Sequence, residues 1–203
     1  GGDCPGLNAV IRAVVRTAIL KYGVEVVGVR SGYRGLYLGD FVPLDLDAIS
    51  GILPIGGTIL NSSNKDNLFQ YPFEEDGKTV YRDVSDVGME NLKKAGIDAM
   101  IIIGGDGTLT SGRDYARKGL PVVGVPKTID NDLACTDYTF GFDTAIGIAS
   151  EALDRLHTTA ASHSRIMVLE VMGRYAGWIA LASGIAGGPD ASLIPEIPYD
   201  IQK

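Results

Sequence analysis

Apolar runs alternate with glycine-rich polar segments along this chain. Residues 100–103 form an uninterrupted apolar run, typical of a strand buried on both faces, and lead directly into the glycine-rich turn 104–108. A helical pattern over 109–118 and a second buried strand over 120–125 follow. Strand, helix and strand in this order predict a right-handed βαβ unit, in which both strands lie in one parallel sheet.

The remaining pattern predicts more elements of the same kind. Apolar residues at helical spacing predict helices within 10–19, 44–53, 83–95, 142–161 and 176–185. Short apolar runs predict strands over 24–29 and 166–171. Residues 31–39 and 61–67 are rich in glycine or polar side chains and are expected to be loops. Because helices and strands alternate, we expect an α/β, Rossmann-like fold with a parallel sheet and helices on both faces.

The turn at 104–108 has the composition of a phosphate-binding loop. Its glycines let backbone amides approach phosphate oxygens, and Thr108 is expected to cap the following helix, whose positive end attracts anions. Asp106 would repel a phosphate unless a cation lay between them, which predicts Mg²⁺ bridging Asp106 to a polyphosphate. The alternative is an ordinary strand-to-helix turn with Asp106 as a solvated cap.

Charged and polar residues follow the second strand of the βαβ unit. If residues 126–132 stay extended, the side chains of Thr128, Asp130 and Asp132 lie on one side, because strand side chains alternate. A carboxylate here can accept the proton of a substrate hydroxyl that attacks phosphorus, and Lys127 can stabilise charge on the moving phosphoryl group. The alternative is a turn, since Asp and Asn are common turn formers.

Two other glycine turns carry candidate anion-binding groups. Residues 1–8 contain glycines, an acid and the start of a helix, and form either a second phosphate loop or an ordinary glycine turn. Arg174 follows a predicted strand and suits either bidentate phosphate recognition or a surface ion pair. His157 and His163 have no partner at metal or triad spacing and are expected to be structural or surface residues.

Composition excludes several classes of function. The net charge of -7 provides no basic stripe for a nucleic-acid backbone, so we expect no nucleic-acid partner. No apolar run reaches the roughly 18 residues of a membrane span, so we expect no membrane partner. The 2 cysteines, Cys4 and Cys135, are too few for a disulfide scaffold, and we expect reduced thiols and a cytoplasmic protein.

Four motifs occur together and in order. They are Gly1-Gly2-Asp3 with Pro5-Gly6-Leu7-Asn8, Gly104-Gly105-Asp106-Gly107-Thr108, Lys127-Thr128-Ile129-Asp130-Asn131-Asp132 and Met172-Gly173-Arg174. Together they resemble the 6-phosphofructokinase family over essentially the whole chain, with Gly141-Phe142 and Ser162-His163-Ser164-Arg165 as further matches. Lipid kinases and NAD kinases share Gly-Gly-Asp-Gly but lack the third and fourth motifs.

The resemblance implies phosphoryl transfer from Mg-ATP to the 1-hydroxyl of fructose 6-phosphate, a step of glycolysis. Asp130 matches the catalytic base, Asp106 the Mg²⁺ ligand and Gly2 a contact to the donor phosphates. Arg165 matches an arginine that reaches into a neighbouring subunit's site, which implies a homodimer or homotetramer. The remaining matches are donor-binding Asn64, Lys65, Gly105, Gly107 and Thr108, and substrate-binding Thr128, Ile129, Asp132, Met172, Gly173 and Arg174.

The resemblance also implies two domains, in the N-terminal part of the phosphofructokinase fold. Residues 1–135 match the donor-binding domain, and residues 136–203 match the start of the sugar-phosphate-binding domain. Gly1-Gly2 has the character of a loop whose preceding strand is missing, and the family's later sugar-phosphate residues lie beyond Lys203. A non-catalytic nucleotide-binding fragment is therefore an alternative to an active enzyme.

The motifs differ in the phosphoryl donor that they favour. In this family a glycine at the position of Gly107 accompanies ATP, whereas an aspartate there crowds the nucleotide and accompanies pyrophosphate. Lys127 is typical of pyrophosphate-using members and of one ATP-using branch. Asn64-Lys65 stands where bacterial ATP-using members carry an arginine. We expect ATP as the donor, with pyrophosphate as the alternative.

Overall fold

The computed structural model describes residues 1–200 and divides the chain into unit 1, Gly1–Lys127, and unit 2, which begins at Thr128. None of the helices within the described residues combines the length and apolar character that a membrane crossing requires. The helices are α1 (Leu7–Tyr22), α2 (Tyr33–Leu38), α3 (Ser85–Lys94), α4 (Asp106–Arg117), α5 (Phe142–His163) and α6 (Trp178–Gly187). The strands are β1 (Val27–Val29), β2 (Phe41–Pro43), β3 (Tyr71–Glu75), β4 (Lys78–Arg82), β5 (Met100–Gly104), β6 (Val122–Thr128) and β7 (Phe140–Gly141).

Strands β5 and β6 form a parallel pair whose register runs from Met100↔Val122 to Gly104↔Pro126. Helix α4 connects them, which confirms the βαβ unit that the two apolar runs predict. The strand order of this sheet is β5-β6-β7. The expected α/β class, with a parallel sheet flanked by helices, is confirmed. Parallel strands end at the same edge, so the residues after Gly104 and Pro126 begin side by side.

Unit 1 buries two groups of apolar side chains behind this edge. In the first group, Ile11 and Val15 of α1 pack on Ile49 and Ile52, which confirms the apolar face predicted for α1. The second group surrounds Tyr115 of α4, which is fully buried. Burial of one face of each helix fixes the amino ends of α1 and α4, from which the two candidate phosphate loops extend.

The expectation of a loop over 31–39 is wrong, because α2 forms there. Glycines at both ends, Gly32 and Gly39, have φ values of 59° and 71°, a left-handed region that glycine adopts without strain. Between them, Tyr33 and Leu36 are buried in the group around Tyr115. This short helix is thus stabilised by tertiary packing and not by helix propensity.

The expectation of a helix over 44–53 is also wrong, because the segment forms a series of turns. The carboxylate of Asp45 accepts a hydrogen bond from the amide of Ala48 at 2.7 Å, an alternative to the helical backbone pattern. Gly51 then adopts φ 72°, which a right-handed helix does not allow. Three apolar residues of the segment, Leu44, Ile49 and Ile52, are buried through these turns, whereas Leu46 and Leu53 are exposed.

An antiparallel hairpin, β3 and β4, was not predicted. The strands pair from Tyr71↔Arg82 to Glu75↔Lys78, and Asp76 and Gly77 connect them with φ values of 50° and 73°. Two positive φ values are the mark of the tight hairpin turn that Asp-Gly pairs favour. The Asp-Gly pair was therefore the signal for this hairpin in the sequence.

Helices α5 and α6 pack closely to form the core of unit 2. Phe142 of α5 is buried with Ile179 of α6, and a Cβ added at Gly187 would lie 2.8 Å from Cδ1 of Leu153. Trp178, the single tryptophan of the chain, begins α6 and is 49% exposed. The glycine at 187 thus allows the two helices to approach closely.

The strand expected over 166–171 does not form within the described residues. The side chains still alternate in exposure, since Ile166 and Val168 are 94% and 84% exposed whereas Met167 and Leu169 are half-buried. A strand requires a hydrogen-bonded neighbour, and no described strand pairs with this segment. The apolar pattern is that of a strand, but the pairing is missing.

The two units divide at Lys127–Thr128, inside β6. The resemblance implied a domain boundary near residue 135. That residues 1–135 bind the donor and residues 136–203 bind the sugar phosphate remains a prediction.

Candidate active site

Strand β5 ends at Gly104, and helix α4 begins two residues later at Asp106. The amide of Leu109 donates to the carbonyl of Gly105 at 2.9 Å and closes the first turn. The amides of residues 106–108 therefore have no partner within the helix and lie at its positive end. This arrangement suits a phosphate group.

Thr108 does not cap this helix, contrary to expectation. The N-cap is Gly105, without a side-chain cap hydrogen bond, and Thr108 lies in the first turn. Its side chain packs against backbone: a Cβ added at Gly104 would lie 2.4 Å from Thr108 Cβ, and one added at Gly1 would lie 2.9 Å from its Oγ1. Because the helix starts earlier than predicted, Thr108 packs on the turn, and Gly104 leaves the space that it needs.

Lys127 is buried, at 6% exposure, near the turn formed by Gly1 and Gly2. Its Nζ donates to the carbonyl oxygen of Gly2 at 2.9 Å, and a Cβ added at Gly1 would lie 3.7 Å from the same Nζ. An ammonium has three donors, so this bond leaves capacity for an anion. Burial of the ammonium makes binding of an anion more favourable, because a buried charge without a counter-charge is costly.

Residues of the loop 61–67 lie beside the same turn. A Cβ added at Gly2 would lie 4.0 Å from the Cβ of Asn64. A Cβ added at Gly32 would lie 3.9 Å from the carbonyl oxygen of Ser63. Lys65, the next residue, is exposed. The structure thus brings Gly2 and Asn64, two predicted donor contacts, close to Lys127 in unit 1. Their roles remain predictions.

Asp106 is an exposed residue at the start of α4, among the amides of its first turn. No group of three or more His, Cys, Asp or Glu side chains within residues 1–200 could hold a metal ion unaided. Mg²⁺ characteristically binds one or two protein carboxylates and takes its other ligands from substrate phosphates and water. A single carboxylate beside anion-binding amides therefore fits a magnesium ion that arrives with a polyphosphate.

The space around Gly107 is open. A Cβ added there would meet no atom within 4 Å, in contrast to the 2.4 Å contact at Gly104. A larger ligand can therefore approach this face of the α4 turn.

In unit 2, Asp130 carries a carboxylate oxygen without a partner. The amide of Asp130 donates to Oγ1 of Thr128 at 3.2 Å, but its own Oδ1 is buried and accepts no hydrogen bond from a described residue. Burial raises the pKa of Asp130, and the charge of Asp132 raises it further. A carboxylate with a raised pKa and a vacant acceptor atom is suited to take up a proton.

The extended conformation expected for 126–132 ends early. Strand β6 stops at Thr128, and Asn131 adopts φ 52° in the left-handed region. The side chain of Asn131 stabilises this bend, since its Oδ1 accepts the amide of Thr139 at 2.9 Å and its Nδ2 donates to the carbonyl of Asp137 at 3.1 Å. The strand alternation that grouped residues 128, 130 and 132 therefore does not hold beyond Thr128.

The turn at 172–174 requires glycine. Gly173 has φ 117°, and a Cβ there would lie 2.5 Å from the carbonyl oxygen of Ala176. Arg174 is exposed, and its guanidinium lies 5.7 Å from the ring centroid of Tyr175. No described acid pairs with Arg174, so the surface ion pair weighed as its alternative role is not found among residues 1–200.

Arg165, Met172 and Gly173 line an open cleft of about 660 Å³ in unit 2. Helices α5 and α6 contribute Leu156 and Ala180 to its apolar wall. The cleft brings three of the predicted sugar-phosphate residues together, whereas Arg174 is not among its lining residues. Their role as substrate contacts remains a prediction.

Two residues near the candidate donor loops, Asn8 and Tyr33, have no role assigned from the sequence, although Asn8 belongs to the first of the four motifs. Asn8 is 1% exposed and makes three side-chain hydrogen bonds to residues 55–59. Tyr33 donates its hydroxyl to the carbonyl of Thr108 in the first turn of α4 at 2.8 Å, and burial raises its pKa. A polar side chain on the apolar face of α1 is the available signal for Asn8, whereas Tyr33 lies in a segment whose composition predicts a loop.

The two candidate acids belong to different units, Asp106 to unit 1 and Asp130 to unit 2. That they serve one site therefore remains a prediction. Within each unit, the structure shows how the sequence positions one acid: Asp106 at a helix start and Asp130 at the end of a strand.

The chain resembles known proteins over its whole length. The family profile described as Phosphofructokinase matches residues 1–203. ATP-dependent 6-phosphofructokinase 2 of Clostridium perfringens is 74% identical, over 100% of this chain and 56% of that protein. Pyrophosphate–fructose 6-phosphate 1-phosphotransferase of Streptomyces coelicolor is 57% identical, also over 100% of this chain and 56% of that protein. The chain spans about half the length of the curated relatives it matches.

A solved structure gives the same result for the fold. The phosphofructokinase of Pichia pastoris superimposes with a TM-score of 0.82 and 38% sequence identity, over 94% of this chain and 21% of that chain. The family profile includes every residue that carries the phosphate-binding turns, the aspartate motif and the Met-Gly-Arg turn. The chain therefore belongs to the phosphofructokinase family.

Proposed function

We propose that this protein transfers the terminal phosphoryl group of Mg-ATP to the 1-hydroxyl of fructose 6-phosphate, giving fructose 1,6-bisphosphate in glycolysis. Family membership supports the reaction class. The observation that carries the proposal is Asp130, whose buried Oδ1 has no partner among the described residues and whose pKa is raised. Such a carboxylate is a suitable base for a hydroxyl that attacks phosphorus.

In this reaction the sugar O1–H proton passes to Asp130 as the O1–P bond forms and the bond from the terminal phosphorus to the donor's bridging oxygen breaks. Lys127 would stabilise the negative charge on the transferred group. The bond from Lys127 Nζ to Gly2 holds that ammonium against the donor turn before any ligand binds. Asp130 and Lys127 are thus the proposed catalytic residues.

The amides at the start of α4 and of Gly105 would bind the donor phosphates, together with Gly2, Asn64, Lys65, Gly107 and Thr108. Asp106 would hold the magnesium ion. When bound, Mg²⁺ neutralises phosphate charge and orients the polyphosphate. Proximity of Asn64 to Gly2 supports a contribution of the 61–67 loop to donor binding.

The sugar phosphate would be bound by Thr128, Ile129, Asp132, Met172, Gly173 and Arg174, with Arg165 acting toward a neighbouring subunit. The exposed position of Arg165 supports this last role, because its guanidinium is available to a second chain. We therefore propose a homodimer or homotetramer with sites shared between subunits. Cytoplasmic localisation is proposed on the low cysteine content and on the glycolytic reaction.

ATP is proposed as the donor because the space at Gly107 is open and because the relative with 74% identity is named ATP-dependent. Pyrophosphate is the second candidate. It is favoured by Lys127, which is typical of pyrophosphate-using members, and by the relative with 57% identity, which is named for pyrophosphate.

The test is a phosphorylation assay of fructose 6-phosphate with magnesium, offering ATP and pyrophosphate separately. It is run on this chain and on a longer chain that includes the remaining length of its relatives. We expect fructose 1,6-bisphosphate with ATP from the longer chain. Product with pyrophosphate alone would overturn the donor assignment, and no product with either donor would overturn the function. Activity of the longer chain alone would identify the present chain as a non-catalytic fragment.

A further inference from the structure

Asn8 lies in the first turn of α1 and is almost completely buried, at 1% exposure. Its Nδ2 donates to the carbonyl oxygens of Ile55 at 2.9 Å and Gly56 at 3.4 Å. Its Oδ1 accepts the amide of Ile59 at 2.9 Å. One side chain therefore binds both sides of the turn 55–59, whose bonded residues lie 47 to 51 positions after Asn8 in the sequence.

The turn 55–59 contains no helix or strand and includes Gly57 at φ 69°. Backbone groups of such a segment require hydrogen-bond partners wherever they are removed from water. Asn8 provides partners for three of them. The position of the turn thus depends on a side chain from α1 and not on regular secondary structure.

From this turn the chain continues directly to the donor loop. The carbonyl of Leu60 accepts the amide of Ser31 at 2.7 Å, and a few residues further Asn64 approaches Gly2. Asn8 itself follows Gly2 on the other side of the site. The same side chain therefore connects the two backbone segments that flank the proposed donor phosphates.

We propose that Asn8 is a positioning residue for the donor site, which sets the separation between the Gly1–Gly2 turn and Asn64-Lys65. This inference rests on the proposed function, because it assigns those two segments to the donor. Asn8 has no part in the chemistry. It acts by holding the 61–67 loop where its backbone and side chains meet the phosphates, so that less ordering is required on binding.

Asn91 of α3 is a matched control. Its Nδ2 also donates to two backbone carbonyls, of Leu36 at 3.0 Å and Tyr37 at 2.9 Å in α2, across a similar length of sequence. These bonds hold α2 against α3 and do not touch the 55–59 turn. Loss of either asparagine side chain destabilises unit 1, but only the loss of Asn8 releases the donor loop.

The experiment compares Asn8→Ala and Asn91→Ala in the complete protein, with the donor that the wild type uses. We expect Asn8→Ala to raise the donor KM about tenfold or more, since small misplacements of binding groups are costly, with the fructose 6-phosphate KM unchanged. Asn91→Ala should leave both KM values unchanged. Equal donor KM values in the two variants would overturn the positioning role, whereas a wild type without either donor activity would overturn the proposed function.

Hydrogen exchange provides a second measurement that does not depend on activity. In the donor-free wild type, the amide of Ile59 should exchange more slowly than the amides of 62–64, and Asn8→Asp, which keeps the acceptor but loses both donors, should accelerate exchange across 55–65. Asn91→Ala should not. If both Asn8 variants fail to fold, the wild-type exchange decides: an Ile59 amide as fast as those of 62–64 would overturn the proposal.

Discussion

In unit 1, hydrogen bonds fix two groups beside the proposed donor site, whereas in unit 2 the side chains of the proposed base and of two proposed sugar-phosphate arginines have no hydrogen-bond partner among the described residues. Lys127 donates to Gly2, and Tyr33 donates to Thr108. In unit 2, the buried Oδ1 of Asp130 has no partner among the described residues, and Arg165 and Arg174 are exposed.

Binding groups and a catalytic base differ in the free energy that their arrangement costs. Binding groups that are fixed in advance lose little conformational entropy when the ligand arrives. A base must instead keep an acceptor atom vacant, and leaving that atom buried without a partner costs stability. Substitutions in the glycine turns of unit 1 should therefore act on binding and stability, and substitutions at Asp130 should act on turnover.

The largest effect is expected from Asp130→Ser. Loss of the base should lower kcat by about 10² to 10⁴, the usual contribution of general base catalysis, while donor affinity is retained. Because the substitution removes a buried carboxylate without a partner, the urea midpoint of unfolding should not fall. Steady-state kinetics and urea denaturation provide the two measurements. Asp137→Ser, an exposed acid in the same segment, is the control and should retain normal turnover.

The next largest effect concerns the donor. Gly107→Asp places a carboxylate in the open space beside the α4 turn, where it would crowd and repel a nucleotide more than the smaller pyrophosphate. We expect kcat/KM for ATP to fall about tenfold or more relative to that for pyrophosphate, which corresponds to 1.4 kcal/mol. Competition assays with both donors measure this ratio. An unchanged ratio would show that the volume at Gly107 does not select the donor.

A pair of glycine substitutions sharpens the comparison within unit 1. Gly104→Ala would place a Cβ 2.4 Å from Thr108 and should lower the free energy of unfolding by about 1–3 kcal/mol, the usual cost of overpacking. Gly107→Ala meets no atom within 4 Å and should raise it by about 0.5–1 kcal/mol, because glycine is unfavourable within a helix. Denaturant unfolding with equal m-values would establish both. Equal effects of the two substitutions would contradict the packing assigned to Thr108.

The smallest effect is expected for Asp132→Asn. The negative charge of Asp132 contributes to the raised pKa of Asp130, so its removal should favour the charged form of Asp130 and lower that pKa. The acid limb of the pH profile of kcat/KM should therefore move to lower pH, because Asp130 stays ionised further into acid. Asp137→Asn should leave the limb in place. Movement of the limb to higher pH would contradict the proposed coupling.

Hydrophobic periodicity predicted the elements whose own sequence carries a complete apolar run or an apolar face. The two apolar runs of the βαβ unit and the apolar face of α1 require no information about distant residues. Helix α2 was not predicted because it is a short helix between glycines, stabilised by the burial of Tyr33 and Leu36. The strand at 166–171 was predicted from an alternation that the structure retains, but strand formation also depends on a partner, which a sequence pattern does not reveal.

The candidate site was predicted in its residue types better than in its geometry. Glycine turns and acids indicate phosphate chemistry because few residues allow close approach to an anion. The position of Thr108 could not be predicted, because α4 begins before it and the side chain packs on Gly104. The bend at Asn131 was equally hidden, since it depends on hydrogen bonds to Asp137 and Thr139.

Trp178 makes the second unit optically distinct. It is the single tryptophan of the chain, it begins α6, and about half of its surface faces solvent. Its emission therefore reports the surroundings of α6 alone, while the nine phenol and phenyl rings of the first unit contribute little at the same wavelength. Titration with either ligand would consequently give an intrinsic fluorescence signal that originates at one known position, without any attached dye.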